Sequence, residues 1–129
     1  MTHTPATEAE EFVAELAEAL TAPDPGECVF CYLARMTGQF GCDTTPRWAR
    51  RWRERCAPRA TALLRRLAAR GGFCDCEVFL NGWSYRADLL VLDPDSGLLD
   101  WPLEDPACEG VRAGSTQGCA LWVPRRRDR

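Results

Sequence analysis

The stretch Gly71-Gly72-Phe73-Cys74-Asp75-Cys76-Glu77-Val78-Phe79-Leu80-Asn81-Gly82 marks a change from helical to extended patterns in this chain of 129 residues. Residues 73–80 alternate between two faces, which predicts a strand, and Asn81-Gly82 is a frequent hairpin turn. Further strand residues are predicted within 83–92 and over 119–123. The sequence therefore predicts a small antiparallel sheet that begins at this stretch.

Four segments before this stretch have the apolar periodicity of helices. They cover residues 8–21; the stripe Val29, Leu33, Met36 and Phe40; Trp48, Trp52 and Cys56 after a Thr45-Pro46 start; and Leu64 and Leu67 before the Gly71-Gly72 stop. Thr7 and Glu10 form a capping box for the first helix, and Gly41 ends the second. Four helices followed by a small antiparallel sheet make an α+β fold, and this length predicts a single domain over 1–129.

The composition points to a soluble protein in a reducing compartment. Apolar residues make up 46% and charged residues 27% of the chain, and there are 8 cysteines but only 1 histidine, His3. The longest apolar run is too short to cross a membrane, and the residues after Met1 lack the features of a secretion signal. We therefore expect a cytoplasmic protein in which the cysteines bind metal or do thiol chemistry rather than form disulfides.

Charge is segregated along the chain, although the net charge is only −3. Residues 1–27 carry acids and no arginine, 47–70 are rich in arginine, and 75–109 are acidic again. We expect these blocks to pair within the fold, because a pI near 5.2 is weak support for phosphate binding. The alternative is a surface for nucleic acid or an acidic protein, which would use Arg47, Arg50, Arg51 and Arg55 with the exposed parts of Trp48 and Trp52.

Seven cysteines stand at positions that suit metal ligation: Cys28, Cys31, Cys42, Cys74, Cys76, Cys108 and Cys119. If residues 31–40 are helical, Cys31 and Cys42 lie ~16 Å apart along the helix axis. Two thiolates on one zinc ion are only about 4 Å apart. The resulting hypothesis has two sites: Cys42, Cys74 and Cys76 with Asp43, Glu77 or water, and Cys28 and Cys31 with Cys108 and Cys119.

A single site made of Cys28, Cys31, Cys74 and Cys76 is the alternative grouping. Zinc is the expected metal, as one or two ions, because thiolates select it. An iron–sulfur cluster is a further possibility. The Cys28-x-x-Cys31 pair at a helix start also suits a redox protein with a lowered thiol pKa. Cys56, on the Trp48 and Trp52 stripe, is predicted to be a buried core residue.

Two strings, Gly41-Cys42-Asp43-x-Thr45-x-Arg47 and Gly71-Gly72-Phe73-Cys74-Asp75-Cys76-Glu77-Val78 with Asn81, carry a family resemblance. The chain resembles the bacterial domain of unknown function 2695 over about residues 30–82, and as a whole it is similar to the longer, cysteine-richer actinobacterial members. The resemblance implies a thiol trio of Cys42, Cys74 and Cys76 and no established activity. Many members have a histidine where this chain has Thr44, so the fourth ligand of the trio stays open.

An open fourth position would suit a catalytic zinc ion, with Glu77 or Asp75 as a general base. Three thiolates, however, acidify a zinc-bound water poorly, and the chain has no serine-hydrolase, phosphate-loop or zinc-protease motif. The sequence therefore favours a binding or accessory protein over an enzyme. Its metal would stabilise the fold, because metal binding adds to the folding energy.

Overall fold

Four α-helices precede all the strands in the part of the chain that the computed structural model describes, residues 4–126. They are α1 (Pro5–Thr21), α2 (Val29–Phe40), α3 (Arg47–Cys56) and α4 (Leu63–Ala69). A π-helical turn (Val78–Gly82) and a 3-10 turn (Ala87–Leu89) accompany the short strands β1 (Trp83–Tyr85), β2 (Val91–Leu92), β3 (Leu99–Asp100) and β4 (Trp122–Pro124). The predicted α+β class is confirmed, and His3 lies outside the described residues.

The strands form two separate antiparallel pairs. β1 pairs with β4, with Ser84 opposite Val123, and β2 pairs with β3, with Leu92 opposite Leu99. Each strand is only two or three residues long. An isolated two-stranded pair is marginally stable in water, so the segment after residue 82 depends on contacts outside its own hydrogen-bond ladders.

The predicted strand over residues 73–80 and its hairpin are wrong. The Sγ atoms of Cys74 and Cys76 lie 3.4 Å apart, whereas residues on the same face of a strand repeat about every 7 Å. The chain therefore turns tightly at this point. Asn81 also has another role, because its side-chain amide donates to the carbonyl oxygen of Gly71 at 2.9 Å.

The glycine pair ends α4, as predicted, through a Schellman motif. Gly71 has φ +87, and the amide of Gly72 donates to the carbonyl oxygen of Leu67 at 2.8 Å. A Cβ on Gly72 would lie 2.8 Å from Cγ2 of Val78. The first glycine therefore supplies the left-handed backbone, and the second allows the following turn to pack on α4.

The start of α3 differs from the prediction that Thr45 caps it. The cap is instead the carboxylate of Asp75, which accepts hydrogen bonds from the amides of Trp48 (2.9 Å) and Ala49 (3.1 Å). Asp75 is fully buried. A side chain from the turn after α4 thus supplies the hydrogen bonds that the residues before α3 do not.

The core lies mainly between α2 and the elements that follow it. Its largest fully buried side chains include Trp52, Tyr32, Leu33, Met36, Leu63 and Leu67. Helix α1 contributes no buried residue and begins at a Thr4 cap, not at the predicted Thr7. Among the described residues, none of the helices is both long and apolar enough to span a membrane.

Candidate metal centres

Four thiols from three segments converge at the start of α2. We call them the four-cysteine group: Cys28, Cys31, Cys108 and Cys119, whose Sγ atoms all lie within 4.8 Å of one another. The Sγ atoms of Cys31 and Cys119 are 3.7 Å apart, although the two residues are separated by 88 positions. These distances are close to the roughly 4 Å between two thiolates bound to one zinc ion.

Hydrogen-bond donors surround the sulfurs of this group. The amide of Cys31 donates to Sγ of Cys28 at 3.4 Å, and the amide of Cys28 donates to Sγ of Cys108 at 3.4 Å. The indole N–H of Trp122 donates to Sγ of Cys31 at 3.2 Å. Donors of this kind stabilise thiolates and hold them in one orientation, as partners around metal ligands do.

The thiols of the four-cysteine group differ in their affinity for a proton. Contact with the Cys31 thiol lowers the pKa of Cys28 to about 5. The same contact, and to a lesser extent burial, raises the pKa of Cys31. Burial raises the pKa of Cys119. Of these three thiols, Cys28 at the N-terminus of α2 is therefore the one whose pKa is lowered.

Three further thiols meet where the turn after α4 packs beside the end of α2. This three-cysteine group consists of Cys42, Cys74 and Cys76, again with Sγ atoms within 4.8 Å of one another. Cys74 is buried, whereas Cys42 and Cys76 are half-buried. Burial and the neighbouring side chains of Cys76 and Glu77 raise the pKa of Cys74 to about 12.

The same local turn presents one thiol in each group. The amide of Gly110 donates to Sγ of Cys108 at 3.3 Å, and the amide of Thr44 donates to Sγ of Cys42 at 3.4 Å. Both donors have a positive φ, +84 for Gly110 and +70 for Thr44. Thr44 is the only residue other than glycine with a positive φ among residues 4–126. Sequence reasoning missed this repeated turn, for which Cys108-x-Gly110 was the available signal.

The acidic neighbours of the three-cysteine group have different surroundings. Each carboxylate oxygen of Asp75 accepts a hydrogen bond from an amide of α3, so this residue is engaged in capping that helix. Asp43 accepts the amide of Thr45 at 3.0 Å and faces Arg47 at 3.8 Å. The side chain of Glu77 lies beside the Cys74 thiol. Glu77 is therefore the best-placed carboxylate to approach this group.

Acidic and basic blocks pair within the fold around α3. Glu18 of α1 forms ion pairs with Arg51, at 2.6 Å, and with Arg55. Arg47 lies on the ring of Trp48, with its Cζ 4.4 Å from the ring centroid. Among the four arginines named from the sequence, only Arg50 is exposed and makes no side-chain ion pair or hydrogen bond within residues 4–126. The chain thus neutralises much of this face itself.

The aromatic residues named for that face are not available at the surface. Trp48 is 8% and Trp52 1% exposed, and their indole N–H groups donate to the carbonyl oxygens of Gly41 and Glu27. Their predicted role in binding a partner is therefore wrong. Cys56 is half-buried against the core and belongs to neither cysteine group, and burial raises its pKa.

A cavity of about 380 Å³ opens beside the four-cysteine group. Cys31 and Cys108 line it together with Arg35, Tyr85 and Asp105. Arg35 is held by two hydrogen bonds to the carboxylate of Glu27, at 2.8 and 3.0 Å. The cavity gives small molecules access to the two thiols of the group that are only half-buried.

Comparison with protein families finds a match for the central part of the chain. Residues 29–81 match the family described as protein of unknown function (DUF2695). The match covers 53 of the 129 residues, less than half of the chain. Searches of curated proteins and of solved structures return no match.

The segment that matches DUF2695 divides the two cysteine groups. It includes the whole three-cysteine group, but only Cys31 of the four-cysteine group. Cys28 immediately precedes the matched segment, and Cys108 and Cys119 lie in the extension that follows it. Both groups can hold a metal ion, and the four-cysteine group would join the extension to the matched segment.

Proposed function

We propose that the chain is a zinc-binding accessory protein of the cytoplasm, with one ion in each cysteine group. In the four-cysteine group, all four ligands would be thiolates, which suits a closed, structural zinc site. In the three-cysteine group, Glu77 or water would complete the coordination. Zinc is favoured over harder cations because the donors are sulfur atoms.

The observation that carries this proposal is the convergence of cysteines from distant parts of the sequence. The four-cysteine group includes contacts between residues 80 and 88 positions apart. The extension that it reaches has strands of only two or three residues. Because such strands are marginal on their own, a metal ion here would supply folding energy that the small sheets lack.

Elemental analysis and native mass spectrometry on protein purified without chelator test the proposal. We expect two zinc ions per chain and one thiol, Cys56, that reacts freely with an alkylating reagent. Cys56→Ser is the matched control and should keep both ions. A protein with no metal and eight reactive thiols would refute zinc binding, and a coloured iron-containing sample would refute the choice of metal.

A metal-handling role is the second candidate, and the three-cysteine group favours it. Two of its thiols are half-buried, and it has three sulfur ligands rather than four. An ion held in this way would exchange with external chelators more readily than an ion held by four thiolates. Zinc from this group that reached an apo-acceptor protein faster than it reached free chelator would support this role.

A further inference from the structure

A groove lined in part by Trp122 combines arginines with aromatic rings. Its volume is about 280 Å³, and its lining includes Arg66, Arg70, Trp83 and Gln117. Among residues 4–126, no acidic residue lines it. We call this site the arginine–tryptophan groove. It does not include Arg47, Arg50, Arg51 or Arg55.

The arginines of this groove differ from those on α3 in their ion pairing. Arg51 and Arg55 form ion pairs with Glu18. Within residues 4–126, no carboxylate pairs with Arg66 or Arg70. Arg66 donates to the hydroxyl of Thr116 at 2.8 Å, a neutral partner that leaves the positive charge uncompensated. The groove therefore attracts an anion, whereas the face of α3 is largely neutralised.

Aromatic residues form the remaining wall of the groove. The half-buried ring of Trp83 lies 4.7 Å from the ring of Phe30, and Cζ of Arg70 lies 5.5 Å from the Trp83 centroid. A Cβ on Gly118 would lie 2.7 Å from the Phe30 ring, so this glycine lets the loop close against the aromatic wall. The Arg70 guanidinium lies over the Trp83 ring, and nucleobases stack on guanidinium planes as well as on aromatic rings.

We propose that the arginine–tryptophan groove binds one nucleotide unit, with the base against the Arg70–Trp83 pair and the phosphate at Arg66. Thr116 and Gln117 offer hydrogen-bonding groups to the base or sugar. The volume, just below the range of about 300–1,000 Å³ typical of sites for larger ligands, suits a single unit. The unit can come from a free mononucleotide or from an unpaired residue of a single-stranded nucleic acid.

The test compares adenosine monophosphate with a fluorescent single-stranded oligonucleotide of about eight residues, a length within the range bound by small single-strand modules. Calorimetry measures the first ligand and fluorescence anisotropy the second, both with the full metal-loaded chain. We expect at least one to bind, and to bind more tightly than inorganic phosphate or a duplex of the same sequence. Binding of the oligonucleotide alone identifies the strand as the source, and binding of both identifies the free nucleotide as sufficient.

Two variants locate the binding site. R66A/R70A should weaken binding about tenfold or more and lower the salt slope of the oligonucleotide by about one, because the groove holds one phosphate and each lost phosphate contact lowers the slope by about one. Gln117→Glu, which adds a negative charge at an exposed position, should also weaken binding. The matched control R50A/R59A removes two exposed arginines outside the groove and should change affinity less than twofold.

Several results would overturn the proposal. These are no binding of either nucleotide ligand at low salt, equal binding of inorganic phosphate or duplex, or an equal loss of affinity in R50A/R59A. Full affinity in both groove variants would also overturn it. Zinc content should be the same in all these variants, so a failure here leaves the proposed zinc binding to be judged separately.

Discussion

The four-cysteine group joins segments that are far apart in the sequence, whereas the three-cysteine group lies wholly inside the segment that matches DUF2695. The first includes two buried thiols, Cys28 and Cys119, and is reached by the indole N–H of Trp122. The second has one buried thiol, Cys74, and its turn also carries Asp75, which caps α3. A cysteine cluster can thus serve either to attach an extension to a domain or to complete a turn within it.

This difference predicts that loss of a ligand is most damaging in the four-cysteine group. Cys108→Ser should lower the free energy of unfolding by about 4 kcal/mol or more, in the range seen for loss of a metal site, and expose residues 101–118 to protease. Thermal unfolding and limited proteolysis measure both effects. Cys42→Ser should lower the free energy of unfolding by less than Cys108→Ser does. Cys56→Ser is the control, because Cys56 belongs to neither group. Equal melting temperatures for Cys108→Ser and Cys56→Ser would contradict a structural role for this group.

Loss of the buried Asp75 carboxylate, beside the three-cysteine group, should have the next largest effect on stability. Asp75→Ala should cost about 2–3 kcal/mol, because it leaves two buried amides at the start of α3 without acceptors. The variant should also lose the zinc of the three-cysteine group and keep that of the other. Denaturant unfolding and elemental analysis measure the two outcomes.

Asp75→Asn is the matched variant, since its amide oxygen can still accept one of the two hydrogen bonds. It should be intermediate in stability between the wild type and Asp75→Ala. If both variants retained two zinc ions per chain, Asp75 would cap the helix without positioning the cysteines.

Release of zinc to a coloured chelator should have two phases that separate the two groups. The three-cysteine group should release its ion roughly tenfold faster or more, because it has one thiolate fewer and two half-buried thiols. Cys42→Ser should remove the fast phase and Cys108→Ser the slow one. Glu77→Gln should accelerate only the fast phase if Glu77 is the fourth ligand. A single phase for the wild type would show that the groups do not differ in this way.

Helix α1 belongs to neither group, and its ion pairs predict the smallest effect. Hydrogen bonds from Arg55, and to a lesser extent from Arg51, lower the pKa of Glu18 to about 2. A lowered folded-state pKa stabilises the protein above the ordinary carboxyl pKa of 4.5, and this contribution is lost as the pH falls toward 2. Glu18→Gln should therefore slightly destabilise the protein near neutral pH, less so in high salt.

The pH dependence of unfolding measures this effect. The difference between Glu18→Gln and the wild type should be constant above pH 5 and should shrink below it. The zinc content should equal that of the wild type, since no cysteine of either group lies in α1. Loss of zinc from either group in this variant would show that α1 supports the metal centres.

Local patterns in the sequence predicted the helical half of the fold. The stripe ending at Phe40 and the glycine after it gave the limits of α2, and the Gly71-Gly72 pair gave the end of α4. These features depend on side-chain periodicity and on backbone angles that glycine tolerates, both of which act over a few residues. The length of α2 also separated Cys31 from Cys42, and the structure brings the thiols together in the two corresponding sets.

Contacts between distant segments decided the rest. Alternation over residues 73–80 predicted a strand, but capping of α3 by Asp75 and the packing of Gly72 on Val78 favour a tight turn there. The pairing of β1 with β4, the approach of Cys108 and Cys119 to α2, and the neutralisation of Arg51 and Arg55 by Glu18 are likewise tertiary. The sequence by itself determined the helices and the type of ligand atom, because these follow from local geometry and side-chain chemistry. Only the tertiary structure decided which segments meet, because that depends on the sum of buried contacts across the whole chain.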